Sequence, residues 1–239
     1  MDQKIFLLIF LFCGLSFLLK AQNSTCTELK KWVDKITLLD EFEQDITYTI
    51  YKDHSSNEVL EIQCGKYIKN KNKVLLELFG NVMIQDEKYQ VHINKDEKVI
   101  VVGDATDLPV STFADIEKWT SLCNIITKMS PKNHLIGFSL QFKTSQIAEL
   151  SKAEIWINTN TSMLEELVLY FNQDQNIAET WHNPKFVKPR LHIRYQTFFS
   201  KNNKITPIDY KEYLVISNGK IKPKPEFKDW QLNIVTTKM

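Results

Sequence analysis

Histidines at metal spacing, a serine in a tight elbow, paired carboxylates and clustered thiols are the arrangements that most often carry catalysis or bind metal. This chain has the residue types without the spacing. Its five histidines are His54, His92, His134, His182 and His192. None falls in an H-x-x-x-H or H-x-x-E-H pattern, which would set two imidazoles on one helical face. His92 and His192 sit inside strand patterns, where they are expected to face solvent or a satisfied hydrogen bond. A nucleophilic serine would need an elbow such as G-x-S-x-G. The chain has six glycines and no such arrangement, and Gly80, Gly103 and Gly137 are isolated, so phosphate-cradling loops are absent. Carboxylates lie beside lysines in Asp86-Glu87-Lys88 and Asp96-Glu97-Lys98, which read as solvated hairpin tips. The expectation is therefore no catalytic residue, no metal and no cofactor, and a protein that is not an enzyme.

The amino-terminal segment carries an address. Asp2, Gln3 and Lys4 precede an apolar run from Ile5 to Leu19, and Lys20-Ala21-Gln22 follows. Charged, apolar, then small is the order of a secretory signal peptide. The run is shorter than the roughly 20 residues a membrane-crossing helix needs. Residues 1–21 are read as a signal peptide and residues 22–239 as the mature chain, a single domain with a Lys/Pro-rich extension at 220–239. Retention of the run as an anchor is the alternative. Cys13 lies in mid-run and is a poor lipid-attachment site. Without Asp2, Lys4 and Lys20, the 30 basic and 29 acidic residues fall to 28 of each. A neutral chain argues against nucleic acid, whose phosphates demand a basic surface. No later run is long enough to span a membrane. Three cysteines, Cys26, Cys64 and Cys123, remain after cleavage. In an oxidising compartment they permit at most one internal bridge, and their spacing is too wide for a zinc or redox motif.

The elements that would position a site are mostly strands. Cys26, Leu29, Trp32, Val33, Ile36 and Leu39 recur at helical steps, predicting a helix over 25–42 with a capping box from Thr25 and Glu28. Alternation begins at Ile46–Tyr51 and returns at Val59–Gln63, Lys66–Lys69, Val74–Phe79, Tyr89–Ile93 and Val99–Val102. Phe113, Ile116, Trp119, Leu122, Cys123, Ile126 and Met129 predict a second helix over 112–129. Strands resume at Ile136–Phe142, Ala153–Ile157, Leu164–Phe171, Leu191–Phe199 and Tyr210–Ile216, and a last short one is expected at Gln231–Val235. Asn158–Thr161 and Lys201–Lys204 look like hairpin tips, and Lys220–Pro225 looks extended and solvated because proline cannot donate to a ladder. Without helices alternating between strands, a parallel sheet is not expected.

Several strands carry apolar residues at alternate positions: Ile46, Tyr48 and Ile50; Leu76 and Leu78; Val91 and Ile93; Phe138 and Leu140; Ile155 and Ile157; Leu167 and Leu169; Ile193 and Tyr195. Two helices, bearing Trp32, Ile36, Phe113 and Trp119, are a modest cover for so much apolar face. A lined cavity for an apolar ligand is one solution to that mismatch. A filled core in a structural or interaction module of an envelope assembly is the other, with the Lys/Pro tail and Trp230 as its docking element.

The order of elements resembles the LolA/LolB-like periplasmic lipoprotein carriers and receptors over roughly residues 25–200. Three stretches carry the resemblance: Gly65-Lys-Tyr-Ile-Lys-Asn-Lys-Asn-Lys-Val-Leu-Leu-Glu77; Gln85–Asn94 running into Lys98–Val102; and Ala153–Thr161 with Leu164–Phe171. The resemblance implies a mainly β fold with helices, an unclosed antiparallel β-barrel of about eleven strands covered by two or three helices. It also implies a monomer in the periplasm or at the outer membrane, with lipid or lipoprotein acyl chains as ligands and envelope proteins as further partners. The family's returning strand usually bears an arginine that latches the helical lid. Val74-Leu75-Leu76 has none, the only arginines being Arg190 and Arg194, and the proline usual in the preceding turn is replaced by Lys71.

Overall fold

The computed structural model describes residues 24–105, 112–143, 149–176, 185–199, 208–217 and 220–235. The predicted signal segment, His182, and the Lys201–Lys204 tip lie outside the described residues. Helix α1 spans residues 24–37 and helix α2 spans Thr112–Leu122. The first six strands are β1 (Glu41–Tyr51), β2 (Val59–Asn70), β3 (Lys73–Leu78), β4 (Asn81–Gln85), β5 (Tyr89–Asn94) and β6 (Val99–Asp104). After α2 come β7 (Cys123–Lys132), β8 (Leu135–Phe142), β9 (Leu150–Asn158) and β10 (Leu164–Phe171). Then follow β11 (Gln175–Asn176), β12 (Phe186–Val187), β13 (Arg190–Phe198), β14 (Leu214–Ser217), β15 (Lys220–Pro223) and β16 (Gln231–Val235). Twelve strands form an open sheet in the order β16-β6-β5-β4-β3-β2-β1-β13-β10-β9-β8-β7. The pairs β11–β12 and β14–β15 stand apart from it. Its registered pairs are antiparallel except that β16 runs parallel to β6.

The chain divides into two compact units. One comprises the residues up to Leu38, Tyr51–Glu58 and Thr112–His192; the other comprises Leu39–Ile50, Val59–Ser111 and Ile193 onward.

In the first unit the core is the inner face of β8, β9 and β10. Phe138 pairs with Ile155, which pairs with Leu167; Ile136 pairs with Ile157, and Leu140 with Ala153. These seven side chains are buried, together with Leu29, Val33 and Ile36 of α1 and Ile116 of α2. Trp119 meets Phe142 edge-on at 6.1 Å. On the opposite face Trp156 is also buried. It lies over Gly137, where an added Cβ would come within 2.5 Å of its ring, so the glycine makes room for the indole. Lys132 Nζ stands 3.8 Å from the centre of that ring. Arg190 donates from both terminal nitrogens to the carbonyls of His54 and Ser56, at 2.9 and 3.0 Å, and lies 4.4 Å from the Tyr51 ring. One of the chain's two arginines thus holds the segment after β1 in place.

In the second unit the core is a single face of β2 to β6. Ile68, Val82, Ile84, Val91, Ile93, Ile100 and Val102 form it with Ile208 and Leu214. The cover comes from the carboxy-terminal region. A 3-10 turn (Tyr210–Glu212), the β14–β15 hairpin and a second 3-10 turn (Pro225–Phe227) place Tyr210, Tyr213, Ile221, Phe227 and Trp230 on it. Phe227 stacks between Tyr213 at 5.2 Å and Trp230 at 5.0 Å.

Several sequence expectations need correction. The first helix ends at residue 37, and β1 begins at Glu41, because Phe42, Gln44 and Ile46 already alternate toward one buried face. Thr25 lies inside α1, and Glu28 accepts from Lys128 Nζ at 2.8 Å. The second helix ends at Leu122; Cys123–Lys132 is a strand, as its β-branched Ile125, Ile126 and Thr127 favour. Asn81–Gln85 adds a strand that was not expected, and Tyr210–Glu212 is a 3-10 turn where a strand was expected. Lys220–Pro225 is extended with Lys220, Lys222 and Pro225 exposed, but Lys220–Pro223 also pairs with β14 and leads Phe227 onto the core. Lys71 takes φ +54° and donates its backbone N–H to Asp40 O at 2.7 Å. Proline can do neither, having φ near −65° and no N–H, which accounts for the lysine at this turn.

Candidate functional site

The second unit's sheet has a second apolar face, and it is not packed like the first. The register of β3 to β6 sets Leu76, Met83, His92 and Val101 in one row, and Leu78, Asn81, Asn94 and Val99 in the next. Successive strand residues point to opposite faces, so these rows lie opposite the core of Ile84, Val91 and Val102. They floor a pocket of about 470 Å³ whose rim includes Phe79 and Glu97. That volume falls within the range of small-molecule sites, roughly 300–1,000 Å³. Phe79 is exposed at the rim and meets Tyr48 of β1 at 5.4 Å between ring centres. Phe42 meets Tyr67 at 5.6 Å, and Gln44 Nε2 donates to Thr197 Oγ1 at 3.0 Å. These contacts put the alternating residues Phe42, Gln44, Ile46, Tyr48 and Ile50 on the pocket's side of the sheet.

The turn between β3 and β4 shapes the rim. Phe79 and Gly80 both take positive φ, +51° and +72°, which reverses the chain in two residues. An added Cβ at Gly80 would meet the Asp96 carboxylate at 2.8 Å. Glycine suits this left-handed position, where a side chain would be strained and would displace the Asp96 carboxylate.

The residues expected to line a cavity are distributed as follows. In the second unit, Leu76, Leu78 and Ile93 border the pocket. Ile93, with Val91, nevertheless belongs to the core on the opposite face. Ile46, Ile193 and Tyr195 are buried, and Tyr48 and Ile50 are half-buried. In the first unit, Phe138, Leu140, Ile155, Ile157 and Leu167 are packed in the core, and Leu169 is half-buried. Of the helical residues, Ile36 is buried, Trp32 lies half-buried beneath Lys35 Nζ at 4.2 Å, and Trp119 packs on Phe142. The side chain of Phe113 lies outside the described residues. Met83, His92, Val99 and Val101 were not anticipated as lining. The alternation of Val99 and Val101 was visible in the sequence, but the strand that carries Met83 was not.

Polar chemistry around the pocket is sparse. His92 stands exposed on the open floor, and partial desolvation there holds its imidazole below the ordinary value of 6.5, favouring the neutral ring. The unfolded chain then takes up a proton first as pH falls below 6.5, so stability is expected to drop as pH falls from there through the folded value. Denaturant midpoints across that range should fall for the natural protein and more gently for His92→Gln. Parallel profiles would mean that the ring does not sense the pocket. The other described histidines lie elsewhere: His54 Nε2 is 2.8 Å from Phe171 O, His134 is 3.3 Å from Glu165, and His192 is 3.5 Å from Glu166. Among the described residues no three His, Cys, Asp or Glu side chains are grouped to hold a metal. Nor is any described helix long and apolar enough to cross a membrane.

No family model and no curated protein matches the chain. Solved structures do. An uncharacterized conserved protein from Thermus thermophilus is similar at TM-score 0.44 and 12% identity, over 87% of this chain and 98% of that one. The lipoprotein LppX of Mycobacterium tuberculosis is similar at TM-score 0.36 and 6% identity, over 77% and 99%. A LolA superfamily protein from Nitrosomonas europaea is similar at TM-score 0.31 and 9% identity, over 80% and 96%.

Proposed function

We propose that the protein binds lipid or lipoprotein acyl chains in the cell envelope, without catalysis, and that the pocket on the second unit holds the apolar part of the ligand. The observation that carries this reading is the pocket floor of Leu76, Leu78, Met83, Val99 and Val101, an apolar sheet face opposite the packed one. An apolar lining with a few polar groups at one end is the usual form of a small-molecule site. Acyl chains suit this floor because apolar burial supplies about 25 cal/mol per Å² without any directional partner. Asn81, Asn94 and Glu97 at one end offer polar contacts for an ester or headgroup. Placement in the periplasm or at the outer membrane rests on the charged, apolar and small residues of positions 2–21.

The test is native mass spectrometry of the full chain purified from the envelope fraction of the expressing cell, followed by organic extraction. The expected result is an added mass that solvent releases as a lipid or acylated species. A folded protein that carries no such mass, and that takes up no fluorescent fatty acid when offered one, would overturn the reading.

A further inference from the structure

Cys26 and Cys123 stand on two elements of the first unit that meet on its core face. Cys26 heads the stripe of α1 that continues through Leu29, Val33 and Ile36, all three buried. The register of β7 on β8 pairs Cys123 with Phe142, Ile126 with Leu140 and Lys128 with Phe138. Those partners belong to the core face, so Cys123, Ile126 and Lys128 are directed to the same side. On that side Lys128 Nζ is held by both carboxylate oxygens of Glu28, at 2.8 and 3.0 Å, which sets the first turns of α1 against β7. Both thiols are half-buried. Burial, and then the neighbouring Cys26 sulfur, push the Cys123 thiol up to about 12, so the two sulfurs lie within each other's electrostatic reach. Cys64 is placed differently: it is exposed on β2, in the second unit.

We propose that Cys26 and Cys123 form a disulfide that staples α1 to β7 and leaves Cys64 as the free thiol. The oxidant is a small or protein disulfide of the export compartment. The Cys26 thiolate attacks one donor sulfur, forming a mixed disulfide and releasing the first donor thiol. The Cys123 thiolate then attacks the Cys26 sulfur, closing the protein disulfide and displacing the second donor thiol. Two electrons pass from the cysteines to the donor, and the two cysteine protons end on the two released thiols. Only the thiolate attacks, and in the folded unit Cys123 holds its proton tightly. Closure is therefore faster while the chain is still folding, before α1 covers the strand. The bridge closes a loop of roughly a hundred residues, a length at which a cross-link strongly restricts the unfolded chain.

The experiment is refolding of the full chain with oxidised glutathione, then alkylation in denaturant without reductant and peptide mapping. The expected map shows Cys26 linked to Cys123 and Cys64 alkylated. In Cys64→Ser, treated in the same way, neither Cys26 nor Cys123 should take up the alkylating agent, and reductant should lower its melting temperature. Alkylation of both Cys26 and Cys123 in Cys64→Ser after this treatment would overturn the proposal. So would a bridge that includes Cys64 in the natural chain.

Discussion

Leu76→Arg is expected to abolish ligand co-purification while leaving the protein folded. Leu76 lies on β3 between Tyr67 and Met83, half-buried, on the face opposite the second unit's core. Arginine there can reach out of the pocket without disturbing Ile68, Ile84 or Val91. For an acyl ligand the change removes roughly 2 kcal/mol of apolar contact and leaves a charge to be desolvated against hydrocarbon. At about 1.4 kcal/mol per tenfold, affinity should fall by at least about a hundredfold. Organic extracts of variant and natural protein, compared beside their melting temperatures, test this. A variant that melts normally and still carries its lipid would place the site elsewhere.

The second large effect is on stability. Ending the chain at Gly219 is expected to unfold the second unit. The deletion removes β16 from its pairing with β6 and strips Ile221, Phe227, Trp230 and Leu232 from the core. These side chains are half-buried, and together they contribute about 5 kcal/mol at usual transfer values. That is as large as the whole stability of many domains. Circular dichroism of the truncated chain should show loss of the cooperative transition. The segment would be a separable docking extension if the truncated chain instead melted as the natural protein does. The Lys/Pro composition suggested such an extension, and the aromatic residues beside it decide otherwise: proline shapes the 3-10 turn that delivers Phe227 and Trp230.

Strand content was legible wherever alternation was undisturbed, as in Tyr89–Ile93, Ile136–Phe142 and Leu164–Phe171. It was hidden where geometry breaks the period. The register of β7 shifts between Cys123 and Ile125 and again between Met129 and Lys132. The first shift leaves Cys123 and Ile126 three apart on one face, and Met129, on the other face, happens to continue that spacing, so the strand reads as helix. Five residues of β4 follow directly on a two-residue reversal and leave little room for a pattern of their own. Which face an apolar residue occupies was the least legible feature. Leu76 and Val91 belong to equally alternating strands, yet pairing through Ile84 and Met83 sends them to opposite sides. Only the register, set by the Phe79-Gly80 turn and by the Asp86 side chain accepting from the Lys88 and Tyr89 amides at 2.8 Å, settles that choice. Of the residues expected to line a cavity, Leu76, Leu78 and Ile93 border this pocket, while the place of Met83 and His92 on its floor required the pairing.

The interleaving of the two units along the chain has a consequence in time. Strands β1 to β6 leave the ribosome first, but the residues that seal their core, from Ile208 to Leu232, come only after the whole stretch from Thr112 to His192. A nascent chain halted anywhere before residue 208 holds a half-covered sheet with its apolar face bare, a state that invites chaperones and aggregation alike. Gathering residues more than a hundred positions apart, such as Ile68 and Leu214, into one core also makes folding slow. Late sealing would keep the polypeptide threadable until most of it had passed through a translocation pore. The same order that burdens folding in a test tube would suit the export proposed above.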